Sequence, residues 1–498
     1  MHPPDNMRFS RRVRNAMAWR WGSQVLAQVI SWTSTIAVVR LLEPSDYGLY
    51  AMCQVVLTAL AFLNGQGFAT SLVQASHVDD RRIGQVFGLL LLLNGSLAAL
   101  QVVSAPLVAD YFGEPAVADM LRIQAIIFLT IPFAAVPQEL LARRLDFRNQ
   151  GLVNLASAGI GGGVAFALAW LGFGVWALVY APVAMFATRA IGLTLAARIP
   201  IRPVFDFRGA GDLITFGGTL TLCQLMWIVQ SQSDIAIAGR SFDTHQLGLY
   251  TNALFLTLII TGKFLPPVNE VAYAAYAELH KQGRALAPYF LRTVRTVFLA
   301  TLPLYLGLAL VAEPAVVVLF GAKWAEMAPI VAGLALAMPL FAVQIACAPA
   351  TNAMGLPQVH LATNTIGALL FPALFLMTVR QGVGGFITAW WLATPLLLLA
   401  TLWFVLPKVG LAWHRLLREL APVALAGAAM AVAVWAARGS TAGLVPFARL
   451  AVLVPLGAAT YFAALWVFAR GYLAETWAMI RQRDTVPVNG ATPAGNLN

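Results

Sequence analysis

Apolar stretches of about twenty residues recur along the whole chain and are separated by short polar turns. A stretch of this length is enough to cross a hydrocarbon core of ~30 Å as an α-helix. Only 11% of the residues are charged, whereas roughly a quarter are charged in soluble domains, so the chain lacks the charges needed to cover a water-facing surface. The stretches do not alternate with period two, as the strands of a membrane β-barrel do. These features predict an all-α polytopic membrane protein.

Fourteen membrane spans are predicted, and most boundaries contain Gly or Pro, as in the turns "FGEP" and "GLPQ". Pro266-Pro267 is expected to break span 8. The longest connection on the predicted outer side has about a dozen residues, which argues against an enzyme that needs a loop to close over an extracytoplasmic substrate. The spans cover residues 16–40, 47–70, 84–108, 116–138, 151–171, 174–197, 212–239, 248–273, 291–312, 327–349, 359–379, 383–406, 419–437 and 446–469.

Lys and Arg are concentrated on one side of the membrane. With the N-terminus placed inside, the inner segments hold 22 of the 32 Lys and Arg residues and the outer segments hold six. By the positive-inside rule, this asymmetry places both termini in the cytoplasm. It also accounts for the net charge of +11 without a nucleic-acid partner.

No pattern in the sequence indicates catalysis, a metal site or a cofactor. The six His residues lie in loops or at span ends without metal-ligand spacing, and the three Cys residues lie far apart within apolar stretches. The glycine-rich segment "GIGGGVAF" lacks the Lys and Ser/Thr of an ATP-binding loop. We therefore expect a transporter rather than an enzyme, with no catalytic residue, no metal and no cofactor.

One polar turn occurs twice, at an offset of 200 residues. The segments "RLLEPSDYGLY" (40–50) and "RSFDTHQLGLY" (240–250) both begin with Arg, carry an acid three residues later and end in Gly-Leu-Tyr. At this offset, residues 24–50 and 224–250 share seven identities. Taken alone, Gly-Leu-Tyr could also be an ordinary helix start with Tyr in the aromatic belt. The repeat-turn residues are Arg40, Gly48, Tyr50, Arg240, Gly248 and Tyr250.

The repeat begins at span 1 and again at span 7, so both copies have the same orientation in the membrane. Parallel repeats of this kind occur in transporters that bind substrate between two halves. The prediction is two six-helix lobes around a central cavity, with two further spans at the C-terminus. The predicted units are a cytoplasmic basic N-terminus (1–15), the first lobe (16–200), a cytoplasmic linker (201–211), the second lobe (212–410), spans 13 and 14 (411–470) and a cytoplasmic tail (471–498).

Polar residues lie on one helical face of the first span in each lobe. Both sets follow steps of four, four, three and four residues, which place them on a single face. These faces are predicted to be walls of a shared wet cavity. The residues are Arg20, Gln24, Gln28, Ser31 and Thr35 in span 1, and Thr219, Cys223, Trp227, Gln230 and Asp234 in span 7.

Charged residues inside the spans are informative because an ionisable group in mid-membrane costs at least ~2.5–3.5 kcal/mol and usually faces a cavity or a partner. We expect Arg20, Arg122 and Lys263 to provide positive charge for an anionic substrate. We expect Asp234 and Glu270 to provide a counter-charge or a coupling-ion site. Two alternatives remain open: Arg20 could extend to the cytoplasmic interface, and Arg122 could pair with an acid one turn earlier.

Five segments carry a family resemblance: "SDIAIAGRSFDTHQLGLY" at the second turn, "VVRLLEPSDYGLYAM" at the first, "RRLDFR", "LFGAKWAEMAPIVAGLALAMP" and "ATNAMGLPQVHLATN". Their order and spacing resemble polysaccharide flippases of the multidrug/oligosaccharidyl-lipid/polysaccharide exporter superfamily, over roughly residues 15–410. In the segment at the second turn, the matching residues are Asp234, Gly239, Arg240, Leu247, Gly248 and Tyr250.

The resemblance implies a flippase that moves an undecaprenyl-pyrophosphate-linked oligosaccharide from the cytoplasmic to the periplasmic leaflet of a bacterial inner membrane by alternating access. It implies exopolysaccharide or O-antigen biosynthesis as the setting, with membrane lipid, a polysaccharide polymerase and export machinery as partners. Arg outnumbers Lys by 28 to 4, which suggests a GC-rich genome and makes a xanthan-like exopolysaccharide system conceivable. A drug/cation antiporter of the same superfamily is the main alternative, and a membrane-embedded glycan polymerase or ligase is less favoured.

Overall fold

Long α-helices account for nearly all of the computed structural model, which describes residues 5–65, 68–69, 79–198, 202–206 and 211–470 but not the side chains of residues 5–18, 20 and 211–225. Short 3₁₀ turns, Ala322–Met327 and Val379–Gln381, connect α11 to α12 and α13 to α14. The helices are α1 (Asp5–Leu41), α2 (Pro44–Ala61), α3 (Asp80–Phe112), α4 (Ala116–Gln124), α5 (Ile126–Arg143), α6 (Phe147–Trp170), α7 (Trp176–Ala197), α8 (Gly211–Ser241), α9 (Thr244–Lys281), α10 (Ala287–Leu310), α11 (Ala312–Phe320), α12 (Ala328–Ala353), α13 (Pro357–Thr378), α14 (Gly382–Val409), α15 (Trp413–Ser440) and α16 (Pro446–Phe468).

These helices form fourteen helical units within the described ranges. Helices α4 and α5 follow each other as the fourth unit, α10 and α11 as the ninth, and every other helix is one unit. Eleven segments of this part of the chain, one of which covers both α13 and α14, are long and apolar enough to cross a membrane. The predicted all-α polytopic fold is therefore confirmed.

Some helix ends differ from the predicted spans. Helix α1 begins earlier and α9 ends later than predicted, because both continue past the apolar stretch into polar sequence. Helix α9 also runs through Pro266 and Pro267. The predicted break there is wrong, and packing against α2 and α12 supports the continuous helix. Helix α2 ends at Ala61 rather than near residue 70, since the chain turns at Gly65, whose φ of 72° is in the left-handed region that favours glycine.

The helices of each half pack in the same order. In the first half α1 contacts α6, α6 contacts α7, α7 contacts α5 and α5 contacts α3. In the second half the corresponding order is α8, α13, α14, α12 and α10. Helices α2 and α9 complete the two lobes and pack directly against each other. Two six-helix lobes related by the parallel repeat therefore meet along α2 and α9, while α15 and α16 pack on α10 and α11.

The linker between the lobes lies along the start of α3 where it is described. The N–H of Val204 donates to the carbonyl oxygen of Gly84 (2.9 Å), and Asp206 pairs with Arg81 (2.8 Å). A Cβ at Gly84 or Gly88 would overlap the linker. The two glycines therefore provide the space in which the linker packs against the first lobe.

Candidate functional site

The two copies of the repeat turn place helix boundaries at equivalent residues. In each copy the first helix ends one residue after the Arg, and the second begins four residues after it. The acid between them is the N-cap residue of the second helix. The carboxylate of Asp243 accepts from the N–H of Gln246 (2.7 Å), and the N–H of Glu43 donates to the carboxylate of Asp46 (3.0 Å). The Arg-x-x-acid pattern therefore encodes a helix boundary.

The two turns contact each other across the lobe interface. Gly48 faces the carbonyl group of Thr244, and Gly248 faces that of Pro44, so closely that a Cβ at either glycine would overlap the facing oxygen. Glycine lets two helices approach to backbone contact. One contact between the two copies therefore explains why both keep a glycine at this position.

Arg40 joins the first lobe to the end of α11 in the second lobe. Its Nε donates to the carbonyl oxygen of Leu319 (3.3 Å), and its guanidinium also donates to that of Val318. Both carbonyl groups lie in the last turn of α11, where carbonyls lack intrahelical partners and the helix dipole favours a cation. The arginine thus provides hydrogen-bond donors for the unpaired carbonyl groups at a helix end in the other lobe.

Arg240 makes the corresponding contact in the opposite direction. Its guanidinium donates to the carbonyl oxygen of Tyr111 at the end of α3 (2.6 Å) and lies 5.0 Å from the centroid of the Tyr111 ring. Both acceptor helices end at a Phe that is followed by a C-cap Gly, at Phe112-Gly113 and Phe320-Gly321. The site residues predicted from the sequence did not include these acceptors. The sequence signal that could have found them is the Phe-Gly pair, which occurs twice at an offset of 208 residues.

The 3₁₀ turn after α11 also contacts the first lobe, at the end of α1. Nζ of Lys323 donates to the carbonyl oxygen of Leu41 (3.0 Å), and Nε1 of the buried Trp324 donates to that of Val39 (3.0 Å). These carbonyl groups belong to the last turn of α1. The residues that make these contacts between the lobes, which we call the outer gate after the predicted outer location of the two turns, are Arg40, Gly48, Arg240, Gly248, Lys323 and Trp324.

Two of the predicted cavity residues meet between α1 and α9, away from the outer gate. Nζ of Lys263 in α9 donates to Oε1 of Gln28 in α1 (3.4 Å), so side chains of the two lobes meet here. Gln24, one turn earlier on the same face of α1, is exposed, and so are Lys263 and Glu270. Arg20 precedes Gln24 by four residues, and its side chain lies outside the described residues. The structure therefore brings Gln28 and Lys263 together, with Gln24 on the same helical face.

Two predicted cavity residues of α8 lie inside the second lobe. Asp234 is 2% exposed and accepts a hydrogen bond from the Tyr250 hydroxyl (2.8 Å), which in turn accepts one from Nε1 of Trp390 (2.9 Å). Gln230 is buried against Gly367 of α13, where a Cβ would overlap the Gln230 amide. The predicted cavity wall is corrected at these two positions, because α13 covers Gln230 and Tyr250 of α9 contacts Asp234.

Arg122 lies in an apolar groove between α3 and α5 and pairs with Asp119 (2.7 Å), which confirms the alternative of a local ion pair. Val102, which lines this groove, lies nine residues before Tyr111 on α3. Nine residues at about 100° each place the two on opposite faces of the helix. Since Tyr111 faces the second lobe, the groove faces away from it. Arg122 is therefore separate from the polar residues between the lobes.

Residues 37–329 match the profile of a protein family described as "Polysaccharide biosynthesis protein". The match includes both repeat turns and confirms the family resemblance predicted from the motifs. One relative is the succinoglycan biosynthesis transport protein ExoT of Rhizobium meliloti, 28% identical over 329 residues. The aligned residues cover 66% of each chain, just under two thirds of the relative's length.

Two solved structures share the fold. The lipid II flippase MurJ, in an inward closed conformation, superposes with a TM-score of 0.72 at 14% identity, covering 91% of this chain and 98% of MurJ. A multidrug resistance MATE family transporter, in an inward-facing conformation, superposes with a TM-score of 0.60 at 15% identity, covering 78% of this chain and 94% of the transporter. At these identities the likeness shows a common fold.

Proposed function

The chain belongs to this family of polysaccharide biosynthesis proteins, and from that premise we propose that it is a flippase for lipid-linked oligosaccharides. Its substrate is an undecaprenyl-pyrophosphate-linked repeat unit, moved from the cytoplasmic to the periplasmic leaflet for exopolysaccharide or O-antigen biosynthesis. The observation that carries the proposal is the contact between the two repeat turns at one end of the lobe interface, together with an exposed polar face further along α1. Alternating access requires a site reached from one side at a time. A polysaccharide polymerase and export machinery are its partners.

In this proposal both termini are cytoplasmic and the outer gate lies on the periplasmic side. The uneven distribution of Lys and Arg supports this orientation. In this proposal the contacts of the outer gate close the periplasmic side, and the exposed face of α1 receives substrate from the cytoplasmic leaflet.

The pyrophosphate is bound between the lobes by cationic and amide groups. Lys263 supplies an ammonium group, Gln24 and Gln28 supply amide donors, and Arg20 supplies a guanidinium from the same face of α1. Charge-assisted hydrogen bonds of this kind are the strong contacts available to phosphate oxygens. The contact between Lys263 and Gln28 (3.4 Å) is exchanged for contacts with the substrate. Arg122 is left out of this role because its groove faces away from the second lobe.

Asp234 is the coupling site for a proton or another cation in this proposal. A buried carboxylate at membrane depth needs a compensating cation or a proton, and Asp234 accepts hydrogen bonds from the Tyr250 hydroxyl and the N–H of Ile235. Because Tyr250 belongs to the repeat turn at the start of α9, a change at Asp234 acts on a helix that forms the outer gate. Glu270, exposed on α9, is the alternative coupling site.

A drug/cation antiporter is the second proposal, and the fold shared with the MATE family transporter is the observation in its favour. The exposed Lys263 next to Gln28 argues against it, because an ammonium group between the lobes would repel a cationic drug. The flippase is therefore preferred.

A deletion strain tests the two proposals. We expect loss of surface polysaccharide and accumulation of lipid-linked repeat units that an impermeant glycan-oxidising reagent does not reach in spheroplasts. A plasmid copy of the wild-type gene should restore the polysaccharide. Normal polysaccharide together with increased drug sensitivity would instead support the antiporter.

A further inference from the structure

Helix α11 is a nine-residue helix held at both of its ends by other parts of the molecule. It is separated from α10 at Val311, whose φ of −107° and ψ of 19° interrupt the helix. At its C-terminal end, the carbonyl groups of Val318 and Leu319 accept hydrogen bonds from Arg40 of the outer gate. In its first turn, Glu313 pairs with Arg449 of α16 (3.4 Å).

In the contact between α11 and α16, the arginine is largely buried and the glutamate is partly exposed. The Arg449 side chain is 13% exposed, and that of Glu313 is 56% exposed. Nε of Arg449 is buried and has no hydrogen-bond partner among the described residues. Val311 and Ala315 pack in one apolar cluster with Leu453 of α16. Loss of Glu313 would therefore leave a poorly compensated guanidinium against the helix that carries the gate acceptors.

We propose that α15 and α16 hold the outer gate closed through α11, with Arg449 and Glu313 as positioning residues. A helix of nine residues is about 13 Å long and moves as one body, so a displacement of its first turn also displaces the carbonyl groups that Arg40 binds. The two C-terminal helices thus regulate the conformation of the transporter although they lie outside the two-lobe repeat.

A second ion pair provides a matched control. Arg295 of α10 pairs with Glu419 of α15 (3.1 Å), and their side chains are 11% and 31% exposed. This pair ties the same two C-terminal helices to the second lobe. It lies fifteen residues before the end of α10, and therefore far from α11 and the gate. The variant Arg295→Gln breaks this pair and so tests whether a weaker attachment of α15 and α16 to the second lobe is enough to open the gate.

The test measures the gate directly, in full-length protein in lipid nanodiscs with all three cysteines replaced by alanine. Spin labels at Ser45→Cys and Gln246→Cys report the separation of the two repeat turns. We expect Glu313→Gln and Arg449→Gln each to lower the closed-to-open ratio about twofold to fivefold, and Arg295→Gln to leave it unchanged. The exchange Glu313→Arg with Arg449→Glu should restore the ratio.

An unchanged ratio in Glu313→Gln and Arg449→Gln would overturn the proposal, as would an equal fall in Arg295→Gln or failure of the exchange to restore the ratio. Size-exclusion profiles of the purified variants separate gate opening from misfolding. The readout uses no substrate, so a negative result would leave the proposed flippase function standing.

Discussion

Arg40 and Arg240 bind in opposite directions across the lobe interface, each to carbonyl groups at the end of a helix in the other lobe. They occupy the same position in the two copies of the repeat turn, and their acceptors end the third unit of each lobe. Equivalent residues in a parallel repeat therefore make equivalent contacts. Since both contacts join the same two bodies, opening of the outer gate must break them together.

Replacing Arg40 or Arg240 with Gln is expected to favour the open gate. Each variant loses charge-assisted hydrogen bonds worth about 1.5–3 kcal/mol, so the closed-to-open ratio should fall about tenfold or more. Distances between spin labels at Ser45→Cys and Gln246→Cys measure this ratio. Arg380→Gln, an exposed arginine in the 3₁₀ turn after α13, is the control. Unchanged distances in both gate variants would show that the arginines do not hold the gate.

Alanine at Gly48 or Gly248 is expected to abolish polysaccharide export while the protein still inserts in the membrane. The added Cβ would overlap a backbone oxygen of the facing turn, so the two turns must separate and the gate cannot close. Surface polysaccharide in a complemented deletion strain is the measurement. Gly262→Ala, in α9 where no described atom beyond the neighbouring residues and the local helix backbone lies within 4 Å of the added Cβ, is the matched control and should complement fully. Full complementation by Gly48→Ala and Gly248→Ala would rule out this steric argument.

The variant Asp234→Asn is expected to abolish transport with little loss of folded protein. Asn keeps the size and a hydrogen-bond acceptor for the Tyr250 hydroxyl but cannot take up a proton or hold a cation. Tyr250→Phe should reduce transport less, because the carboxylate remains. Export by the complemented strain and yield of purified protein measure the two effects. Ser34→Ala, at the equivalent position in the first lobe, should behave like wild type, and normal export by Asp234→Asn would remove Asp234 from the coupling role.

The variant Lys263→Ala is expected to weaken binding of a pyrophosphate-linked lipid about tenfold to a hundredfold, and Gln28→Ala less. Loss of a charged hydrogen-bond donor accounts for ~1.5–3 kcal/mol, whereas a neutral amide contributes about 1 kcal/mol. Binding of undecaprenyl pyrophosphate to protein in nanodiscs is the measurement. Lys281→Ala, at the end of the same helix, tests for a general charge effect. Equal affinities for wild type and Lys263→Ala would contradict the proposed pyrophosphate site.

Much of the architecture follows from local sequence. The length of the apolar stretches predicts the fourteen units, and the repeated Arg-x-x-acid pattern places helix boundaries at the same offset in both lobes. The residues of the candidate site were harder to predict from the sequence. Helical spacing correctly grouped Gln24 and Gln28 on one face of α1, but the same spacing on α8 placed Asp234 and Gln230 in a cavity that they do not line.

The sequence by itself determined the all-α class, the parallel repeat and the turns at which helices end, because each depends on composition, chain offset or contacts within a few residues. Only the tertiary structure decided what packs on each helical face. It placed Gly48 against Thr244, brought Arg40 to carbonyl groups 278 and 279 residues away, and turned Arg122 away from the second lobe. Periodicity shows which residues share a face of a helix, but the neighbour of that face is set by packing between distant segments.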